Sequence, residues 1–294
     1  MSQLMTKERV VTGKTRVAGI LGWPVEHTLS PAMHNGEFER LGLDWVYVAF
    51  PVDPENLESA FNGLSLSGIA GLNITIPHKQ KIMALLDEIS DEAQSIGAVN
   101  TVKFENGRAI GYNTDVHGWA EDIQQDILIQ NSTVCILGAG GAGRALGVGA
   151  ALAGARSVLV LNRSRENADA VCDILVEQFP EVDFVCTLFD SEDAREQFQA
   201  CEIIVNATPV GMTSKPGIPI PADWLSPNQY IYDTIYVPAE TELMKAARRK
   251  GCPVRGGLGM LARQGARAFE IWTGKKPDVD RMESTLRRVL AGKD

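Results

Sequence analysis

An α/β architecture with mostly parallel sheets follows from three features of the sequence. Short apolar runs alternate with longer amphipathic stretches along most of its 294 residues, the pattern of repeated β-α-β units. One such run, Thr133 to Leu137, leads straight into Gly138-Ala139-Gly140-Gly141-Ala142-Gly143, which reads as a tight turn between a strand and a helix. The length suits two compact units better than one.

The first unit reads from Arg16 to Lys79 as strand, helix, strand, helix, strand. Val17 to Leu21 is apolar and stops at Gly22 and Pro24, as a buried strand does. Ser30-Pro31 opens a helix, with the serine expected at N-cap and the proline at the first position; Gly42 closes it after Leu41. Trp45 to Phe50 is β-branched and aromatic and predicts a second strand. Leu57 to Leu66 predicts a helix, and Gly71 to Ile76 a third strand ended by Pro77.

In the second unit, Thr133–Leu137 is a strand and a small-residue helix follows the glycines to about Ala153. Ser157 to Leu161 is the next strand, followed by a helix with Ala168, Val171, Leu175 and Phe179 on its apolar face. Further strands are expected at Val182–Val185, Ile203–Asn206 and Tyr230–Asp233. Leu258 to Leu290 reads as helical and, following the second unit, is expected to pack back onto the first. The expected domains are therefore 1–115, 116–255 and 256–294, the last completing the first.

Composition narrows the function. Apolar residues are 45% and charged residues 22%, ordinary for a globular protein. Setting 28 Lys+Arg against 37 Asp+Glu gives a net charge of −9, which argues against nucleic acid or an anionic membrane as partner. No apolar run approaches the ~18 residues of a membrane span, and Met1 to Thr15 lacks the apolar core of a signal peptide. Cys135, Cys172, Cys186, Cys201 and Cys252 are scattered and form no C-x-x-C pair. Reduced thiols in a cytoplasmic protein are expected, without a disulfide framework or zinc. His27, His34, His78 and His117 show no metal-binding spacing, so no metal is expected.

Gly138, Gly140 and Gly143 make G-x-G-x-x-G between a strand and a helix. There the first glycine allows the turn, the second lets the backbone approach a pyrophosphate, and the third lets helix pack on strand. The helix N-terminus adds free N–H groups and partial positive charge. A dinucleotide site is expected. The end of the next strand, where an NAD site places a carboxylate, instead reads Asn162-Arg163-Ser164-Arg165, beginning 24 residues after Gly138. A guanidinium pairs with a 2′-phosphate that a carboxylate would repel, so NADP is the expected cofactor.

Polar residues cluster where the strands of the first unit end. Thr28 and Ser30 flank Leu29; Asn73 and Thr75 share one side of the third strand; Pro77-His78-Lys79 follows it. Later come Asn100-Thr101 and Gly111-Tyr112-Asn113-Thr114-Asp115. All the hydrogen-bonding side chains at these ends are neutral except Lys79 and Asp115, a set suited to a hydroxyl-rich ligand with one cation–carboxylate pair for proton handling. Oxidising a secondary alcohol with a nicotinamide needs such a pair, because the hydroxyl proton leaves with the hydride. The residues also admit a plainer reading: a solvated lysine at a helix start, with Asp115 and Ser30 as caps. Gln264 falls on the apolar stripe of Leu261, Ala268, Ile271 and Trp272; its amide needs partners, from backbone or from ligand hydroxyls.

Taken together, five segments resemble the shikimate dehydrogenase family, with its quinate/shikimate relatives: GWPVEHTLSP (22–31), GLNITIPHK (71–79), GAVNT (97–101), GYNTD (111–115) and GLGM (257–260) leading to Gln264. With the glycine loop and Asn162-Arg163-Ser164 they follow family order over nearly the whole chain. The resemblance implies reversible NADPH-dependent reduction of 3-dehydroshikimate to shikimate, by a monomer or homodimer. Lys79 and Asp115 would be the acid/base pair. Thr28, Ser30, Thr75, Lys79, Asn100, Asp115, Tyr236 and Gln264 would hold the substrate. Gly138, Ala139, Gly140, Gly141, Ala142, Asn162, Arg163, Ser164, Thr208, Thr234, Gly257 and Met260 would meet the cofactor, with Asp91 near it. Two positions depart from the pattern: Thr28 replaces the first serine of a Ser-x-Ser pair, and Asn167 stands where a second basic residue is usual. The alternatives are a quinate dehydrogenase using NAD and a catalytically silent ligand sensor.

Overall fold

The computed structural model describes residues 10–292; most of the stretch inspected for a signal peptide lies outside them. The first unit comprises β1 (Arg16–Gly22), α1 (Ser30–Arg40), β2 (Trp45–Pro51), α2 (Leu57–Leu66), β3 (Gly71–Ile74), β4 (Glu88–Ile89), α3 (Asp91–Ile96), β5 (Thr101–Glu105) and β6 (Arg108–Tyr112). Its sheet runs β2-β1-β3-β5-β6-β4. Three pairings are parallel (β1 with β2 and β3, β4 with β6) and two antiparallel (β3–β5, β5–β6). The antiparallel hairpin turns at Asn106-Gly107, both at positive φ (54° and 77°), as a two-residue turn of matching twist requires.

α4 (Asp115–Ile123) carries the chain into a second sheet. This unit comprises β7 (Thr133–Leu137), α5 (Gly141–Leu152), β8 (Ser157–Asn162), α6 (Arg165–Gln178), β9 (Asp183–Leu188), α7 (Ala194–Gln199), β10 (Ile203–Asn206), β11 (Tyr230–Asp233), α8 (Glu242–Arg249) and β12 (Val254–Gly256). All five pairings in the order β12-β11-β10-β7-β8-β9 are parallel, a Rossmann-like arrangement whose order reverses beside β7. The inner strands β7, β8, β10 and β11 are buried almost throughout, which is why they read as apolar runs.

α9 (Leu258–Thr273) and α10 (Val279–Ala291) then pack against the first unit. Ala268, Phe269 and Trp272 share a core with Ala18, Phe38, Trp45 and Tyr47, and the Trp272 indole donates to Val102 O at 2.9 Å. Each large apolar side chain buried there contributes about 1.5–3 kcal/mol. Among the described residues no helix is long and apolar enough to cross a membrane, and no His/Cys/Asp/Glu group could hold a metal ion.

Three expectations are corrected. Ser30 is not a cap: Leu29 occupies that position without a side-chain cap bond, and Ser30 is buried as the first residue of α1. β3 ends at Ile74, so Thr75 belongs to the following loop. Not every cysteine is reduced: Cys172 on α6 and Cys186 on β9 form a disulfide with Cα atoms 6.1 Å apart, while Cys135, Cys201 and Cys252 are free and buried. The pairing arises because α6 packs across β9, a tertiary contact that linear spacing does not reveal. Closing a loop of this size stabilises by about 3 kcal/mol.

Candidate active site

Lys79 lies in the loop after β3, and its backbone is clamped by Val99 N donating to Lys79 O at 2.8 Å. That bond belongs to the approach to β5, so Lys79 and Asn100 share one frame. Asp115 opens α4, with its own N–H donating to Asn113 Oδ1 at 3.0 Å. The two charges meet: Lys79 Nζ to Asp115 Oδ2 is 2.7 Å, with side chains 18% and 8% exposed. A pair so shielded is little screened by salt.

Around this pair the neutral residues interlock. Asn100 Nδ2 donates to Asp115 Oδ1 (2.8 Å) and Thr114 Oγ1 (3.0 Å), and reaches Gln264 Oε1 at 3.4 Å. Thr114 Oγ1 donates to Gln264 Oε1 (3.3 Å), and Gln264 Nε2 donates to Leu261 O (3.1 Å). Gln264 therefore has both kinds of partner, backbone and site. Thr28 Oγ1 accepts from Ser30 N at 3.3 Å. Behind Ser30, the Tyr47 hydroxyl donates to Asn73 Oδ1 at 2.6 Å. Asn73 in turn donates to Thr101 Oγ1 at 3.1 Å, so it supports the site from within the core. Thr75 presses its methyl against Gly22, where any Cβ would stand 2.3 Å from it. Tyr236 crosses over from beyond β11 to pack on the cluster of Leu29, Met33, Ala262 and Ala266, and burial raises its hydroxyl pKa.

The glycine loop faces this cluster. A Cβ on Gly141 would stand 3.9 Å from the Cβ atoms of Lys79 and Ala98. Gly138 takes φ +100°, and a Cβ on Gly143 would fall 1.9 Å from Gly138 O, so each glycine does what its place in the motif requires. Gly140 has open space beside it and precedes α5 without any side-chain cap, leaving first-turn N–H groups free for an anion. Ala139 N donates to Asn162 Oδ1 (3.3 Å), and Asn162 Nδ2 to Ser164 O (2.9 Å). Ser164 caps α6 through Asn167 N (3.4 Å). Arg163 is exposed and holds no ion pair among the described residues, so its guanidinium is available. These features fit a dinucleotide with a 2′-phosphate.

Thr208 and Thr234 meet at Asn206 beside the glycine loop, and Gly257 packs on Thr234. The Thr208 methyl touches Gly138, its hydroxyl donates to Asn206 Oδ1 (2.7 Å), and Thr234 Oγ1 donates to Asn206 O (2.7 Å). Gly257 is pressed against Thr234 O, 2.1 Å from where a Cβ would lie. Ala142 sits in the first turn of α5. Asp91, exposed in the first turn of α3, is not brought into the cluster. Sequence reasoning placed Thr114 in the polar cluster without naming a role for it, and left out Tyr47 and Asn206. Thr114 had a visible signal, adjoining Asp115 in GYNTD; Tyr47 and Asn206 looked like ordinary strand residues.

Fold and site together define a dinucleotide-dependent oxidoreductase. Residues 20–102 match the family model for the shikimate dehydrogenase substrate binding domain, and residues 257–287 that for the shikimate 5′-dehydrogenase C-terminal domain. The chain is 39% identical over 286 residues to a shikimate dehydrogenase (NADP(+)) of Alkaliphilus metalliredigens, covering 96% of this chain and 99% of the relative. The crystal structure of Thermus thermophilus shikimate 5-dehydrogenase in complex with NADP(H) and shikimate superposes with a TM-score of 0.83 at 39% identity, covering 94% and 100% of the two chains. Quinate dehydrogenase from Corynebacterium glutamicum in complex with NAD gives 0.85 at 32% identity, covering 93% and 99%. The chain belongs to the shikimate dehydrogenase family.

Proposed function

We infer that this chain catalyses the reversible NADP-dependent reduction of 3-dehydroshikimate to shikimate. The observation that carries the reading is the shielded Lys79–Asp115 pair, 2.7 Å apart, set against the glycine loop and ringed by neutral hydrogen-bonders. NADPH, when bound, supplies the hydride. In reduction the Lys79 ammonium delivers its Nζ proton to the ketone oxygen as negative charge develops there; in oxidation the neutral amine accepts that proton. Asp115 holds the ammonium in place and, with Asn100 and Gln264, presents oxygens and an amide to the substrate hydroxyls. Thr28 and Ser30 hold the carboxylate, with Thr75 and Tyr236 beside it. The cofactor would rest its pyrophosphate on Gly138–Gly143 and its 2′-phosphate on Arg163 and Ser164, with Thr208, Thr234, Gly257 and Met260 along the rim. In this reading residues 1–115 and 256–294 form the substrate domain and 116–255 the dinucleotide domain.

A quinate enzyme using NAD would share the pair but not the need for Arg163. Steady-state absorbance assays at the nicotinamide band, with shikimate and quinate each combined with NADP and NAD, test the assignment. The highest specificity constant is expected for shikimate with NADP; preference for quinate with NAD would overturn it.

A further inference from the structure

A second buried charge cluster lies two helical turns along α4 from Asp115, at Asp122. Its carboxylate is fully buried and receives four hydrogen bonds from three other elements. Oδ1 accepts from Arg255 Nη2 and Arg263 Nη1, both at 2.8 Å; Oδ2 accepts from Arg255 Nε at 3.0 Å and the Tyr232 hydroxyl at 2.7 Å. Arg255 belongs to β12, Tyr232 to β11 and Arg263 to α9. An outer ring completes the charge: Asp126 takes Arg255 Nη1 (2.8 Å) and the Tyr230 hydroxyl (2.7 Å), and Glu283 of α10 takes Arg263 Nη1 (3.3 Å).

The packing beneath this cluster is equally specific. α4 and α9 cross through two glycines in opposite senses. On α9, Gly259 leaves the notch that Asp122 fills, since a Cβ there would stand 2.0 Å from Oδ1. On α4, Gly118 leaves the notch that Gln264 fills, 2.7 Å from Gln264 Cβ and 2.9 Å from Met260 O by the same measure. Gly118 and Asp122 are four apart on one helix; Gly259 and Arg263, and Met260 and Gln264, are four apart on the other. Such pairs share a helix face, so the depth at which Asp122 seats on Gly259 fixes the depth at which Gln264 seats on Gly118.

We propose that Asp122 is a positioning residue for the substrate. It sets the register of α9 on α4, and so places Gln264 beside Asp115 and Asn100; through Arg255 it ties that register to the strand that delivers Gly257 and Met260 to the cofactor side. The proposal rests on the assignment of Gln264 and Asp115 to substrate given above. Asp122→Asn keeps the shape but turns an amide N–H₂ toward guanidinium donors and leaves two arginines short of one negative charge. The helices must shift to relieve this, and a misplacement of about 1 Å in a reacting geometry costs up to about a hundredfold.

The test is a double-mutant cycle in the full chain, with Asp122→Asn, Gln264→Ala and the pair, following shikimate kinetics and thermal unfolding together. Asp122→Asn is expected to lower kcat/KM for shikimate by about tenfold to a hundredfold while remaining folded. The double variant is expected to be no worse than the poorer single, because the two act through one contact. Additive losses, or unchanged kinetics in Asp122→Asn while Gln264→Ala is impaired, would overturn this proposal and leave the site reading intact. Unchanged kinetics in Gln264→Ala would overturn both. Should Asp122→Asn fail to fold, Arg263→Gln and Arg263→Lys replace it in the cycle, with loss in the first, rescue in the second and the same criterion of non-additivity.

Discussion

His34 makes the chain sensitive to acid, by an amount the structure sets. Its ring is fully buried on α1, stacked on Tyr47 with centroids 4.4 Å apart and tilted against Trp272 at 5.4 Å. Neither ring nitrogen has a hydrogen-bond partner among the described residues. Burial without a counter-charge pushes its pKa from 6.5 down to about 3. Because the folded value is the lower one, the unfolded chain takes up a proton below pH 6.5 that the folded chain refuses. The stability contributed by keeping His34 neutral is therefore complete above pH 6.5 and lost as pH falls toward 3. The full difference, 6.5 − 3 or about 3.5 pH units, corresponds to about 5 kcal/mol. Between pH 6.5 and 4.5 the loss from this residue alone is about 2 kcal/mol, roughly 4 °C in unfolding midpoint for a chain of 294 residues. His34→Phe keeps an aromatic ring in the stack and removes the titration. Denaturant unfolding of both proteins from pH 7 to pH 4.5 should show the stability difference shifting toward acid by about 2.5 kcal/mol in favour of the variant. Parallel pH curves would refute the reasoning, whatever the absolute stabilities.

Lys79→Ala should cut turnover by roughly 10²–10⁴ with substrate binding largely kept, the scale of a lost acid/base group; stopped-flow and equilibrium binding separate the two, and near-normal turnover would remove Lys79 from the chemistry. Arg163→Ala should weaken NADP far more than NAD, since only NADP carries the 2′-phosphate; equal losses in fluorescence titrations would make the arginine structural. Shikimate should be preferred over quinate by roughly tenfold to a hundredfold, because the Thr28 methyl crowds an added C1 hydroxyl and leaves it unpaired, a cost of about 1–3 kcal/mol. Thr28→Ser should narrow that ratio, and specificity constants for both acids that keep the same ratio would sink the explanation.

Much of this was legible in the sequence, for physical reasons. The inner strands of the second sheet are buried almost throughout, so the boundaries at Thr133–Leu137, Ile203–Asn206 and Tyr230–Asp233 coincide with those observed. The glycine loop was readable because its spacing follows from backbone geometry. The β5–β6 hairpin went unread, although Asn106-Gly107 is a strong turn signal, because its flanking residues are too mixed to alternate cleanly. Ser30 reads as a cap because it precedes a proline, whereas the helix starts one residue earlier, with Leu29 at the cap. Lys79 and Asp115 were each visible, but 36 positions of chain hid the 2.7 Å between them. Asp122 was invisible as a functional residue: its meaning lies in Arg255, Arg263 and Gly259, which only the crossing of α4 and α9 brings near.

The return of α9 to the first sheet also orders the protein's synthesis in time. Trp272 lies against Gly71, where a Cβ would stand 2.3 Å from its ring, and shares a core with Tyr47. Ribosomes add about 5–20 residues per second, so roughly 10–45 s separate the emergence of Tyr47 from that of Trp272. Throughout that interval the nascent first sheet carries an uncovered aromatic face, while the second sheet, contiguous in the chain, gains its last strand at Val254–Gly256, just before α9 begins. The first unit is thus the last to be finished. A ribosome that stalls before α9 yields a complete dinucleotide fold beside an unfinished partner, a product for chaperones or proteases and not for metabolism.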